Sequence, residues 1–260
     1  MSRTNRPAVR PARVLPAVPP RDCALCGVRQ LALFQSFPPD VLGRLSVLRR
    51  GVRMVPAGGQ IVPPGQPAAE VFTVFRGWAF SYRLTHEGRR QILDFHLPGD
   101  LIGAEFLAAA PTGAGADALT AVSLCAFDAA LLMQAAADMP PLAAALTWMV
   151  AREEAVLAER LTAVGRRSAA DRLGHLLLEM WTRQRLREGE DGAECRFPLT
   201  NQHMADVLGL SPEHVSRSLA QWRHRQLAFV DSGRLRLPDA AQLAELCDWT
   251  PGYLHPRPIL

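Results

Sequence analysis

A carboxylate, a hydroxyl and a guanidinium stand close together late in the chain, at Glu213, Ser216 and Arg217. Helical steps of three and four residues put Ser216 and Arg217 on the same face as Glu213. A glutamate can accept from cytosine N4, a serine can bond either kind of base edge, and an arginine can bind guanine O6 and N7 through two parallel bonds. A solvated helix face carries charges too, so the reading depends on whether a helix is held there with this face outward. Thr200 and Gln202 lie just upstream, with Arg223 and Arg225 beyond. The cysteines form a second chemical set: a Cys-x-x-Cys pair, Cys23 and Cys26, and three single residues, Cys125, Cys195 and Cys247. They read as thiols or metal ligands rather than a disulfide framework.

The elements around Glu213 fit a helix pair. Thr200 is a good N-cap for a first helix, and Gly209 supplies the left-handed residue that ends it. Ser211 caps a second helix, with Pro212 at its first position, where the missing N–H costs nothing. Ala205 is small where two crossing helices touch, and Leu208, Val215, Leu219 and Trp222 are expected to face the core. Caps, corner and paired readers together predict a helix-turn-helix over about residues 200–226 whose second helix enters the major groove of DNA. Phe229-Val230 and Arg234 to Leu237 flank Asp231-Ser232-Gly233, which predicts a β-hairpin wing.

Upstream, residues 51–127 break into short β-rich runs divided by glycines and prolines, the pattern of an antiparallel roll. From Pro141 to about Val164 the apolar period turns helical and passes through Leu146, Met149, Val156, Leu157 and Leu161. A stripe that long predicts a dimer seam, and Gly165-Arg166-Arg167 is expected to break or bend the chain. The fold class is therefore α+β: a β-roll sensor domain, a long dimerisation helix and a winged helix-turn-helix. The divisions are a flexible Arg/Pro-rich arm with the Cys-x-x-Cys pair (1–30), the roll (31–138), the dimer helix (139–165), the DNA-binding unit (166–245) and a tail (246–260). All 29 basic residues are Arg and the net charge is +4, which alone argues only weakly for nucleic acid. No apolar run is long enough to span a bilayer and residues 1–21 lack an apolar leader, so a cytoplasmic protein without membrane attachment is expected. An enzyme built on the roll is the competing class. His86 and His96 are the only histidines there, no acidic cluster accompanies them, and no nucleophile-elbow or phosphate-loop motif occurs.

The run Gln91-Ile92-Leu93-Asp94-Phe95-His96-Leu97-Pro98-Gly99-Asp100-Leu101-Ile102-Gly103 and the segment Ser211 to Leu219 resemble the β-roll signature and the recognition helix of the Crp/Fnr family of bacterial transcription regulators. The resemblance covers most of the chain. Glu213, Ser216 and Arg217 occupy the Glu-x-x-Ser-Arg pattern that reads TTGA-type half-sites in the Fnr-like branch. Pro212 replaces the arginine of the Crp branch, which implies Fnr/FixK-like sites. The resemblance further implies a homodimer, contact with RNA polymerase, and a redox, oxygen or nitrogen-oxide input, with a different small molecule or no cofactor as the alternative. Cyclic-nucleotide-binding relatives clamp the phosphate with an arginine after a Gly-x-Glu segment. Gly103-Ala104-Glu105 is present, but no arginine falls between Arg90 and Arg152, so cyclic AMP is not expected. Oxygen-sensing relatives hold an iron–sulfur cluster on four cysteines. Cys23, Cys26 and Cys125 match three of the positions and Ala32 stands at the other, which leaves open a cluster with a non-cysteine ligand such as Asp22, or a plain thiol pair.

Overall fold

The computed structural model describes residues 16–30, 37–66, 69–108, 113–188 and 193–254. In chain order the elements are α1 (Pro39–Leu48), β1 (Arg49–Val55), β2 (Gln60–Val62), β3 (Glu70–Arg76), β4 (Ala79–Leu84), β5 (Arg90–His96) and β6 (Leu101–Ile102). Then come β7 (Gly115–Ala118), β8 (Val122–Asp128), α2 (Ala129–Asp138), α3 (Pro140–Arg166) and α4 (Ala169–Glu188). The last are β9 (Glu194–Arg196), α5 (Asn201–Leu208), α6 (Pro212–His224), β10 (Phe229–Asp231), β11 (Arg234–Arg236) and α7 (Ala240–Cys247).

Two antiparallel four-stranded sheets, ordered β1-β8-β3-β6 and β2-β7-β4-β5, make the roll. Val71, Phe72, Val74 and Phe75 on β3 are all buried, so this strand is covered on both faces. The Glu87-Gly88 turn closes the β4–β5 hairpin, where Thr85 N–H donates to Arg89 at 2.9 Å and Gly88 takes φ +77°. A Cβ on Gly77, at φ +89°, would lie 2.3 Å from the Ala121 carbonyl, so only glycine fits that crossing.

α3 is one helix through Gly165. It ends one residue later, where Arg167 turns extended and Ser168 Oγ caps α4 through Asp171 N–H. The helix serves two masters. Leu142, Leu146 and Met149 join the roll's own core and Val156 is buried too, whereas Val150, Leu157, Leu161 and Val164 stay 48, 45, 75 and 37 % exposed. Of the five residues expected at a seam, Leu146, Met149 and Val156 are therefore taken by the protomer itself, and only Leu157 and Leu161 face outward.

Two further expectations are corrected. Residues 16–30 are not a free arm: Val28 is buried, Cys23 N–H donates to Ser46 Oγ at 2.8 Å, and Arg49 holds the carbonyls of Pro20 and Arg21. Residues 246–254 are not a tail. Cys247 packs on Gly174 of α4, and the 3-10 turn Pro251–Leu254 lies on α3 with Leu254 1 % exposed. The first 15 residues, Ala32 and residues 255–260 lie outside the described residues. Among the described residues no helix is long and apolar enough to cross a membrane.

Candidate nucleic-acid interface

Thr200 caps α5 by accepting from His203 N–H at 3.2 Å, and the His203 ring accepts in return from Thr200 N–H, also at 3.2 Å. This is a capping box in which imidazole takes the place of the usual Glu or Gln. Gly209 ends α5 at φ +63°, ψ 38°. Ser211 Oγ then caps α6 by accepting from His214 N–H at 3.3 Å. Val215, Ser218 and Trp222 form the buried face of α6. The Trp222 indole N–H donates to the Ala170 carbonyl at 3.0 Å and anchors α6 on α4.

With that face buried, Glu213, Ser216 and Arg217 are all exposed on the other side. A hydrogen bond from Ser211 and the backbone N–H hold the Glu213 carboxyl below its usual range, and Arg217 and His214 act in the same sense. The first turn of α6 thus presents an ionised acceptor beside a guanidinium. Thr200 and Gln202 are exposed at the start of α5, and Gln202 donates to Asp206 at 2.6 Å. The wing is formed by β10 and β11 around Ser232-Gly233, both at positive φ, as a two-residue hairpin requires. It joins β9, a strand the sequence pattern did not indicate.

The roll holds this unit at two places. At the first, Arg90 pairs with Asp206 of α5 at 2.7 Å, Gln91 donates to the Val207 carbonyl at 3.2 Å, and the Phe80 and His203 rings lie 5.7 Å apart. The second is a buried ion cluster. Arg183 of α4 binds Asp94 at 3.0 Å, Asp100 at 2.8 Å and Glu179 at 3.0 Å. Arg160 of α3 binds Asp94 and Glu179, each at 2.8 Å. Arg152 and Arg187 close on Asp100. Burial pushes Asp94 and Asp100 up, but the guanidiniums around them win and hold both carboxyls well below the usual carboxylate range. These two aspartates belong to the roll stretch singled out in the sequence. The clasp and the cluster were missed there because the partners of these roll residues lie 52 to 116 residues away.

The roll cavity, of about 190 Å³, is lined by Arg83, His96, Glu105 and Glu153 among others. Both His96 ring nitrogens are buried without a hydrogen-bond partner among the described residues. Burial, then the charges of Asp94, Asp100 and Glu105, push Glu153 up to about 8.

Cys23, Cys26 and Cys125 line a separate apolar cavity of about 70 Å³ between the amino-terminal turn, α1 and α3. Burial pushes the Cys125 thiol up to about 11, although Arg49 hydrogen-bonds its Sγ at 3.9 Å. The Asp22 carboxylate is already engaged, accepting from Ala24 N–H at 2.8 Å. Among the described residues no group of three or more His, Cys, Asp or Glu is placed to hold a metal ion. The described residues bring the three thiols to one cavity but do not themselves make a ligand set for an iron–sulfur cluster.

Residues 171–246 match the family model of a Crp-like helix-turn-helix domain, and residues 52–138 match that of a cyclic nucleotide-binding domain. The chain is 31% identical over 192 residues to the nitrogen fixation regulation protein FixK of Rhizobium meliloti (strain 1021), covering 74% of this chain and 84% of that protein. To the protein of the same name from Bradyrhizobium diazoefficiens it is 29% identical over 225 residues, or 86% and 93% of the two chains. The solved structure of FixK2 from Bradyrhizobium japonicum is similar with a TM-score of 0.68 at 29% identity, covering 75% of this chain and 96% of that one.

Proposed function

The chain belongs to the Crp/Fnr family of DNA-binding transcription regulators, and from that premise we propose that it binds TTGA-type palindromes as a homodimer. One observation carries the reading: Glu213, Ser216 and Arg217 share the exposed face of a helix whose opposite face, with Val215 and Trp222, is buried. In this reading the three side chains read base edges, and Thr200 and Gln202 contact the phosphate backbone at the start of α5. Val150, Leu157, Leu161 and Val164 follow at steps of seven, four and three, the spacing of a coiled-coil seam, and pair α3 with its copy. The DNA-bound dimer contacts RNA polymerase. Its input belongs to the redox, oxygen or nitrogen-oxide responses.

Cyclic AMP is not the effector in this reading. Glu105 and Glu153 line the roll cavity, and a cyclic phosphate would meet them without a dedicated arginine after Gly103-Ala104-Glu105. Titration calorimetry with cyclic AMP at micromolar concentration is expected to show no saturable heat; a saturable isotherm contradicts this part.

Fluorescence anisotropy with a labelled TTGA palindrome and a scrambled duplex of equal length tests the whole reading. A preference of about 10³-fold or more is expected at fixed salt. Equal affinities would contradict it.

A further inference from the structure

The exposed face of the helix pair holds a hydrogen bond that joins its two helices. Asn201, the first residue of α5, donates its amide Nδ2–H to Ser216 Oγ at 2.8 Å. Both side chains are exposed, so in the free protein water competes for the contact and it adds little to stability. Its consequence is directional. A serine hydroxyl has one hydrogen to donate and two lone pairs that accept. Because Asn201 is the donor, it engages one lone pair, and the hydroxyl hydrogen stays available for a base. An acceptor at residue 201 would take that hydrogen and leave Ser216 able only to accept.

We propose that Asn201 is a positioning residue for sequence readout: by donating to Ser216 Oγ it leaves the Ser216 hydrogen free to donate toward the major groove and occupies one of the two lone pairs that could accept, which favours a base with an acceptor over cytosine at the step Ser216 reads. Thymine offers O4 there, guanine offers O6 and N7, and adenine offers N7. Cytosine presents only its N4 amino donor. Once the groove closes over the contact and water leaves, a mismatched polarity is no longer rescued by solvent, and the preference takes its full size. Thr200 caps the backbone of the same turn, so the Asn201 side chain projects from a fixed first turn of α5. The proposal rests on α6 being the base-reading helix.

The experiment uses the full-length protein, wild type and Asn201→Asp, with and without Ser216→Ala. Affinity is measured at one salt concentration for the TTGA palindrome and for symmetric variants carrying each base pair at each half-site position. The readout is the ratio of affinities between bases at each step. That ratio cancels the uniform loss that a new negative charge near phosphates would cause. At one step, Asn201→Asp is expected to shift the ratio toward cytosine by about three- to tenfold, the worth of one net hydrogen bond. The same substitution is expected to shift nothing in the Ser216→Ala background. A selective wild type whose base profile survives Asn201→Asp unchanged, or a shift that persists without the Ser216 hydroxyl, overturns this proposal alone. A wild type that ignores every palindrome overturns the functional reading beneath it.

Discussion

At the scale of single residues, the account turns on side chains whose chemistry depends on what surrounds them. Arg217 is exposed one helical turn past Glu213. Arg217→Ala should therefore cost about 1–3 kcal/mol on the specific site and relax one guanine preference, as for a lost bidentate contact. Binding to scrambled DNA should change much less, and anisotropy on the two duplexes measures both; equal losses would remove Arg217 from base reading. Glu153 makes a pH-dependent statement. Its carboxyl sits near 8 in the fold against an ordinary 4.5, so the folded state keeps a proton that the unfolded chain has already released. Stability then falls as pH rises toward 8 and levels off above it. The buried histidines His96 and His175 and the half-buried His203 act in the opposite sense but only below their ordinary value of 6.5, which leaves pH 6.5 to 8 to Glu153. Wild type should lose on the order of 1 kcal/mol across that window, and Glu153→Gln should remove the slope; parallel urea curves for the two proteins would contradict this. Local chemistry of the Thr200, Gly209 and Ser211 kind was legible because caps and corners depend only on neighbours in sequence. His203 was not read as the other half of the capping box because imidazole is not the usual residue there.

At the scale of elements, α3 shows what a hydrophobic period conceals. Apolar residues recur along it, but the recurrence serves two faces: one packs on the roll through Leu142 and Met149, and the other, through Leu157 and Leu161, is left largely open to solvent in the protomer, although Leu157 also borders the roll cavity. Period alone marks both faces and cannot divide them, because the division depends on where the roll sits. The division sharpens the test of the seam. Leu157→Asp removes apolar area from the outward face and would bury a charge in a dimer. It should weaken self-association and palindrome binding together while shifting the protomer's thermal midpoint much less, since Leu157 is 45 % exposed in the single chain. Sedimentation velocity and thermal melts measure the two effects. Loss of the fold, or an intact dimer, would assign the stripe another role. The amino-terminal turn makes the same point in reverse. Arginine and proline content suggested a loose arm, but Val28 and the Ser46 hydroxyl tie residues 16–30 to α1, a contact that composition cannot reveal.

At the scale of the whole molecule, the roll, the long helix and the DNA-binding unit converge on one guanidinium. Arg183 is 1 % exposed and reaches Asp94 and Asp100 of the roll, 89 and 83 residues away, while Arg160 of α3 shares Asp94 and Glu179 with it. A buried charge cluster is weak evidence for net stability, but removing one member strands the rest. Arg183→Met should cost about 3–5 kcal/mol by urea unfolding, and a loss below about 1 kcal/mol would show that the remaining arginines suffice. The Arg90–Asp206 clasp adds a second link, so the orientation of α6 depends on both sites. Apart from Arg183–Glu179, four residues apart on α4, none of these pairings could be found from spacing, though the aspartates lay in the stretch that marked the roll. The central claim, a dimer reading a palindrome through α6, is tested most directly by sedimentation of wild-type protein with labelled full-site and scrambled duplexes. The account predicts a complex of two chains on the TTGA palindrome and none on scrambled DNA at the same concentration and salt. A single chain bound to the full palindrome, or equal complexes on both duplexes, would contradict it.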